Sequence, residues 1–239
     1  MTILDALPAL RDHGTVQVCS VPLHHTAVYR RLLLQAPTTG RCPVLLSGHA
    51  LASLRQGWDP APALAELETR DAGAVLAERY PDGCLYHADC LAPFGTTFPG
   101  LASATPGLEL LERAEIVETA AEEAYLPDEP LLGLVPVRRP ADIPAAAGWF
   151  GMGTSWDDVV AVSAVLRSWE DRFGATLVGL GHASLELAVA APPWEPSECL
   201  AIAAEHYAFC DDTYRGNPGT LRDYANLLRG ATRWSFWWD

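Results

Sequence analysis

Apolar and polar residues alternate most regularly after residue 130. Apolar positions spaced three and four apart predict a helix over 156–173, capped by Thr154 or Ser155 and ended by Gly174. Two-residue alternation and short apolar runs predict strands, and helical spacing predicts two further helices. The predicted strands are Leu131–Val137, Ala175–Gly181, Leu185–Ala190 and Thr232–Trp238, and the other helices are Ser197–Phe209 and Leu221–Leu228.

This order of elements, strand–helix–strand–strand–helix–helix–strand, predicts the α+β class. It is typical of a two-layer sandwich of ferredoxin-like, split βαβ order with one extra helix. The first half of the chain mixes short strands and helices and is typical of a smaller α/β region. Two prolines and two acidic residues at 127–130 mark a boundary. We therefore expect an N-terminal α/β region over 1–126 and a C-terminal α+β domain over 131–239.

The clearest amphipathic pattern of the first half lies at 108–124. Apolar residues recur there at helical spacing, and the opposite side carries Glu109, Glu112, Glu115, Glu118 and Glu122. Eight acidic residues and one arginine between Glu109 and Glu129 hold half of the net charge of −14. One interpretation is a solvated helix face. The other is a docking face for a protein with a basic surface, because a concentrated field speeds association with opposite charge.

Composition excludes several classes of protein. With 49% hydrophobic and 19% charged residues, the 239-residue chain has enough apolar surface to fold. A net charge of −14 argues against nucleic acid and anionic membranes as partners. All 16 basic residues are arginines, so a Walker A loop, a pyridoxal Schiff base or a lysine nucleophile has no ammonium group to use. We expect no cofactor.

No segment of the sequence predicts export or membrane insertion. Met1–Asp12 lacks the basic start of a signal peptide, and no apolar run reaches the roughly 18 residues of a membrane helix. Six cysteines are too few for a disulfide scaffold in a chain of this length. We therefore expect a cytoplasmic protein with reduced thiols.

Three blocks of the C-terminal half are distinctive: Leu166–Ala175 (LRSWEDRFGA), Ala204–Cys210 (AEHYAFC) and Trp234–Asp239 (WSFWWD). In their order and over about residues 131–239, they resemble the bacterial family named only as "domain of unknown function 4253". The first half is similar to the leading region of actinobacterial members. Asp211-Asp212 departs from the Pro-Asp expected at that point. The resemblance implies a family and no activity, because the family is uncharacterised.

A polar cluster ends the helix predicted over 197–209. His206 and Cys210 are four residues apart and share a face, with Glu205 beside them and Asp211 and Asp212 just beyond. Such groups can activate a thiolate or bind a metal ion. Two helical ligands fall short of the three that catalytic zinc uses, and a buried histidine or cysteine is an ordinary core residue. Both interpretations stay open, and we expect no metal.

Charged residues on the helix over 156–173 form a second candidate. Glu170 could pair with Arg167 or Arg172, or bind an arginine-bearing ligand. The alternative is an ion pair on the helix surface, which contributes little to stability. If Glu170 faces Glu205, the two carboxylates would form an acid/base site.

Three further patterns each have a structural and a functional interpretation. A glycine cluster before a helix start can hold an anion or form a turn. A Cys-x2-His-x2-Cys pattern suggests zinc but lacks a second ligand pair. The last strand carries aromatic residues on both faces and is either core or an interface. These patterns comprise Gly148, Gly151 and Gly153; Cys84, His87 and Cys90; and Trp234, Phe236, Trp237 and Trp238.

We therefore expect a non-catalytic binding protein that docks a basic partner, as an immunity-type protein docks a toxin domain. The expected binding residues are Trp169, Glu170, Arg172, His206, Trp234, Trp237 and Asp239. The alternative is a hydrolase that uses Glu205, His206, Cys210, Asp212 and Glu170.

Overall fold

In the described part of the chain, seven strands form one mixed β-sheet with the spatial order β1–β2–β4–β3–β5–β6–β7. The computed structural model describes residues 7, 10–19, 26–80, 90–105, 110–124, 130–153, 156–212 and 219–239. The strands are β1 (Arg11–His13), β2 (Val16–Cys19), β3 (Cys42–Leu46), β4 (Leu131–Val135), β5 (Ala175–Leu180), β6 (Ser184–Val189) and β7 (Arg233–Trp237). Strands β3 to β6 are buried along almost their whole length, as in sheets that helices cover on both sides.

Helices cover both faces of the sheet. They are α1 (Thr26–Thr39), α2 (Pro60–Leu67), α3 (Ala72–Arg79), α4 (Leu110–Glu123), α5 (Ile143–Ala147), α6 (Val159–Phe173), α7 (Pro196–Phe209) and α8 (Leu221–Leu228). On one face, Val117 of α4 shares a core cluster with Leu45 of β3. On the other face, Trp169 of α6 shares the larger cluster with Leu46. The alternation of Leu45 and Leu46 therefore places β3 between two helical layers.

Helix α6 begins at a different cap from the one that the sequence predicts. The carboxylate of Asp158 accepts the backbone N–H groups of Val160 and Ala161 at 2.9 and 3.1 Å. Thr154 and Ser155, the predicted caps, lie outside the described residues. The predicted end is confirmed, because Gly174 has a φ of 60° and its N–H group bonds back to the last turn.

The α+β class is confirmed, and the ferredoxin-like two-layer order is wrong. Strand β3, from the first half of the chain, lies between β4 and β5. It is antiparallel to β4, where Val44 opposes Gly133, and parallel to β5, where Leu45 opposes Gly179. Strands β4 and β5 are therefore antiparallel to each other, whereas a βαβ unit joins parallel strands. Strand β7 pairs with β6 at the far side of the sheet.

Two elements of the first half, β1 and α2, were not predicted from the sequence. Strand β1 has three residues, too few for a periodic pattern. Helix α2 has a clear start signal, since Asp59 caps the N–H group of Ala61 and Pro60 occupies the first turn. Within the described part of the chain, no helix combines the length and apolarity that membrane crossing requires.

The position of β3 predicts that residues 131–239 do not fold alone into this structure. Without β3, the inner edges of β4 and β5 lose their backbone partners. We expect the fragment 131–239 to show no cooperative urea unfolding transition, and the full chain to show one, both followed by circular dichroism. Addition of residues 1–126 should restore the transition. A cooperative transition of the fragment alone would instead favour the predicted division into two domains, 1–126 and 131–239. That division stays a prediction.

Candidate functional site

Helices α6 and α7 meet over the sheet around one buried carboxylate, that of Glu205. The Glu205 side chain is 0% exposed. Its two oxygens accept the indole N–H of Trp169 at 2.8 Å, the backbone N–H of Ala102 at 2.7 Å, and the two terminal nitrogens of Arg172 at 2.8 and 2.6 Å. Because four donors converge on it, this buried charge is fully satisfied.

Arg172 completes the arrangement from α6. Its guanidinium group forms the two-pronged pair with Glu205 and also donates to the backbone oxygen of Ala102 at 3.0 Å. Its Nε–H donates to the hydroxyl of Ser168 at 3.1 Å. The pair therefore joins α6, α7 and the segment that contains Ala102, and it leaves no carboxylate oxygen directed toward solvent.

His206, beside Glu205, lies inside a ring of aromatic side chains. It is 1% exposed, and its Nδ1 atom is 2.9 Å from the hydroxyl of Tyr224 on α8. Among the described residues, its Nε2 atom has no hydrogen-bond partner. Burial, and secondarily the charge of Arg172, holds the pKa of His206 well below its usual range. His206 is therefore a neutral core residue.

The aromatic side chains around His206 come from α6, α8 and β7. Trp169 stacks on Phe236 with ring centroids 5.4 Å apart, and Trp234 meets the His206 ring edge-on at 4.5 Å. The predicted division of the last strand is confirmed: Trp234 and Phe236 are buried, whereas Trp237 on the opposite face is 37% exposed. The inner face of β7 is therefore core.

Cys210 and Asp212 hold the end of α7 against the end of the chain. The Cys210 thiol donates to the backbone oxygen of Trp237 at 3.0 Å. The backbone N–H of Asp239 donates to the carboxylate of Asp212 at 3.2 Å. Both Cys210 and Asp212 are buried, with 2% and 7% exposure. These contacts favour the structural interpretation of both residues.

Glu170 has its own set of partners, distinct from those of Glu205. Its carboxylate lies 3.5 Å from Nε of Arg139 and 3.9 Å from a terminal nitrogen of Arg113, and the N–H of Ala141 donates to it at 3.4 Å. Burial raises the pKa of Glu170, and the two guanidinium groups oppose that rise. No contact among the described residues joins Glu170 to Glu205, so the expected two-carboxylate site is not supported.

Arg167 also departs from the expected pairing with Glu170. Its guanidinium group forms a two-pronged pair with Asp142 at 2.5 and 3.0 Å, and it reaches Glu68 at 2.8 Å. These hydrogen bonds raise the pKa of Arg167 further. The pairs attach α6 to the short turn before α5 and to the end of α2.

The expected binding residues are divided by their burial. Trp169, His206 and Trp234 are buried and cannot form an open surface, which corrects that part of the expectation. Trp237 and Asp239 are exposed. The burial of His206 could be predicted from the sequence of α7. This helix is apolar on nearly every side, and a charged residue in such a helix is buried with a partner. Tyr224, the partner of His206, has no such signal in the sequence.

The acidic helix is exposed on its outer face. Ala114 and Val117 are buried, whereas Glu112 and Glu122 are exposed. Arg30 of α1 reaches Glu115 at 3.1 Å and Glu118 at 3.4 Å, so part of the negative charge is neutralised. Glu109 lies outside the described residues.

Two glycines of the cluster, Gly148 and Gly151, serve close packing. Gly148 has a φ of 61°, and an added Cβ would lie 2.6 Å from the indole of Trp58. A Cβ on Gly151 would lie 1.9 Å from the backbone oxygen of His182. These contacts explain both glycines without a bound anion.

The cysteines depart from the expectation of reduced thiols at one position. Cys90 forms a disulfide, and the free cysteines are Cys19, Cys42, Cys199 and Cys210, all of them buried. Cys84 and His87 of the zinc-like pattern lie outside the described residues. In the ranges that the structure covers, no three His, Cys, Asp or Glu side chains are grouped in a way that could hold a metal ion.

One comparison with known proteins matches the C-terminal part of the chain to a family model. Residues 131–239 match the model of the family described as "Domain of unknown function (DUF4253)". The matched part of the chain contains β4–β7 and α5–α8, and the match confirms the resemblance to this family that the sequence shows. No match was found among the curated proteins or among the solved structures.

Replacement of Glu205 should strongly destabilise the fold. The change Glu205→Gln leaves the charge of Arg172 buried without its counter-ion, a loss that typically costs about 3–5 kcal/mol. We expect the free energy of unfolding, measured with urea, to fall by about that amount. The matched change Glu195→Gln, at an exposed position just before α7, should alter it by less than about 0.5 kcal/mol. Equal effects of the two changes would contradict the structural role of Glu205.

The neutral state of His206 predicts a pH dependence of stability. Because its folded pKa lies below the unfolded value of about 6.5, only the unfolded chain gains a proton there as the pH falls below that value. The contribution of His206 to stability is therefore complete above pH ~6.5 and is lost by up to about 1.4 kcal/mol per pH unit below it.

The variant His206→Gln isolates this contribution. The range from pH 6.5 to 5 lies just below the pKa of about 6.5 that His206 has in the unfolded chain. Over this range, the unfolding free energy of the variant should depend less steeply on pH than that of the parent. The change His182→Gln, at an exposed histidine, controls for the general loss of an imidazole. An unchanged slope in His206→Gln would show that His206 is not buried as described.

Proposed function

We propose that this protein is a non-catalytic binding protein that uses helix α4 to dock a partner with a basic surface. The observation that carries the proposal is the exposure of the glutamates on α4, whose opposite face is packed in the core. Glu115 keeps 62% of its side chain exposed although it contacts Arg30. A basic surface would meet this concentration of negative charge and be attracted at long range.

The arginine of α4 does not reduce the negative charge of the outer face, because it points to another element. Arg113 is directed away from the glutamates, toward Glu170 on α6. Glu112, Glu122 and Glu123 are exposed on α4, and the contacts that Arg30 makes on this helix are with Glu115 and Glu118. A toxin domain with a basic surface is one partner of this chemistry. The cytoplasmic location expected from the sequence belongs to the same proposal.

The alternative, a hydrolase built on Glu205, His206 and Cys210, receives no support from the geometry. A general base needs to reach a substrate proton, and a thiol nucleophile needs access and a lowered pKa. Glu205 and His206 are buried, and the Cys210 thiol donates to a backbone oxygen.

The proposal predicts that binding depends on three exposed glutamates of α4. The triple variant Glu112→Gln, Glu122→Gln and Glu123→Gln keeps the contacts of Arg30 and removes three negative charges. Affinity capture from a lysate of the source cells, followed by titration of the purified captured protein, should show binding to the parent chain. The triple variant should bind at least about tenfold more weakly, and added salt should weaken the parent complex.

A second triple variant controls for net charge. Glu78→Gln, Asp157→Asn and Glu195→Gln remove the same charge from exposed positions on other elements, and they should leave the affinity of the captured protein within about twofold. Capture of no protein with a basic surface, or equal affinities of the two triple variants, would contradict the proposal.

A further inference from the structure

An open pocket of about 390 Å³ lies between the segment before α2, α2 itself and the start of α6. Its lining residues do not include those of α4. Its size is within the range of small-molecule sites. The apolar part of the lining is formed by Trp58, Pro62, Ala63 and Val160. Ala63 and Val160 are also buried residues of a small core cluster. The apolar lining therefore rests on packed structure.

Trp58 is held in one orientation by the body of the protein. Its indole N–H donates to the backbone oxygen of Ala145 on α5 at 2.8 Å. Its ring packs against Gly148, where no side chain larger than hydrogen fits. The pocket wall is thus formed before any ligand arrives, which lowers the entropic cost of binding.

Arg55 is the cation that lines this pocket. The guanidinium carbon lies 5.0 Å from the centre of the Trp58 ring, and the backbone N–H of Arg55 donates to Gly148 at 3.1 Å. Among the described residues, the Arg55 side chain has no hydrogen-bond or ion-pair partner. Its planar set of N–H donors is therefore available, and Trp58 restricts its position.

The two acidic residues of the pocket are already engaged. Asp59 accepts the N–H group of Ala61 at the start of α2, at 3.0 Å. Glu66 pairs with Arg70 at 3.3 Å. The unsatisfied polar group of the pocket is consequently a cation with a planar donor fork, which matches a carboxylate. The rest of a ligand would contact the apolar lining.

We propose that this pocket binds a small organic carboxylate, with the carboxylate on Arg55 and an apolar body against Trp58, Pro62 and Val160. The site is independent of the acidic face of α4. It does not depend on the proposed docking function, and either can fail without the other.

The test uses matched pairs of probes: benzoate, phenylacetate and hexanoate, each against its neutral carboxamide. Binding is followed in isotope-labelled protein by the indole N–H resonance of Trp58 and by the backbone amide resonances of the non-proline residues in 55–66. We expect saturable shifts with the acids and at least about tenfold weaker binding of the amides, as the loss of a charge-assisted hydrogen bond implies. Shifts no larger for the acids than for their amides, across all three pairs, would overturn the proposal.

Two variants test whether Arg55 is the residue that binds the carboxylate. Arg55→Gln should raise the dissociation constant of the acids at least about tenfold, to the level of the amides. Arg222→Gln, which removes the same charge from an exposed position on α8, should leave it within about twofold. Unchanged binding in Arg55→Gln would show that the acids bind elsewhere. The comparison of acid with amide in the parent chain remains decisive if a variant folds poorly.

Discussion

The carboxylate of Glu205 is the interaction on which the C-terminal half of the structure depends. A charge in the protein interior is stable only when counter-charge and hydrogen bonds replace water. Arg172, Trp169 and the backbone of Ala102 supply both, and they come from α6 and from a segment of the first half. Since α7 carries Glu205 and His206, the same contact positions the aromatic cluster under β7. The polar residues that look catalytic in the sequence thus organise a core.

The sequence predicts local structure well and strand pairing poorly. The apolar stripe of α6 and its glycine cap, and the two faces of β7, follow from spacing alone, and the structure confirms them. The place of β3 between β4 and β5 was missed, because the residue pattern of a buried strand does not name its neighbours. The true cap Asp158 is an acid just before α6, and the choice between it and Thr154 or Ser155 depends on where the helix begins.

For the candidate site, the residues predicted from the sequence do lie together, but the prediction that they are accessible is wrong for most of them. Arg172, Glu205, His206 and Trp234, which lie in the three distinctive blocks of the sequence, form one cluster. Burial could not be derived in the same way, because it depends on α8 and on the segment at Ala102, which no local pattern connects to α7. The match to the family model covers this cluster and names no activity. The accessible candidates for binding are therefore the outer side of α4 and the pocket at Arg55.

The most direct test of the central claim is a double-mutant cycle between Glu205 and Arg172, in which each residue is replaced by an apolar residue, singly and together. The free energies of unfolding of the four proteins give the coupling between the two side chains. The structure predicts a coupling of about 2–3 kcal/mol, with the double variant Glu205→Leu/Arg172→Met at least as stable as either single variant, because each single change leaves one buried charge. Additive effects of the two changes would contradict the account, since they would mean that the two groups do not depend on each other.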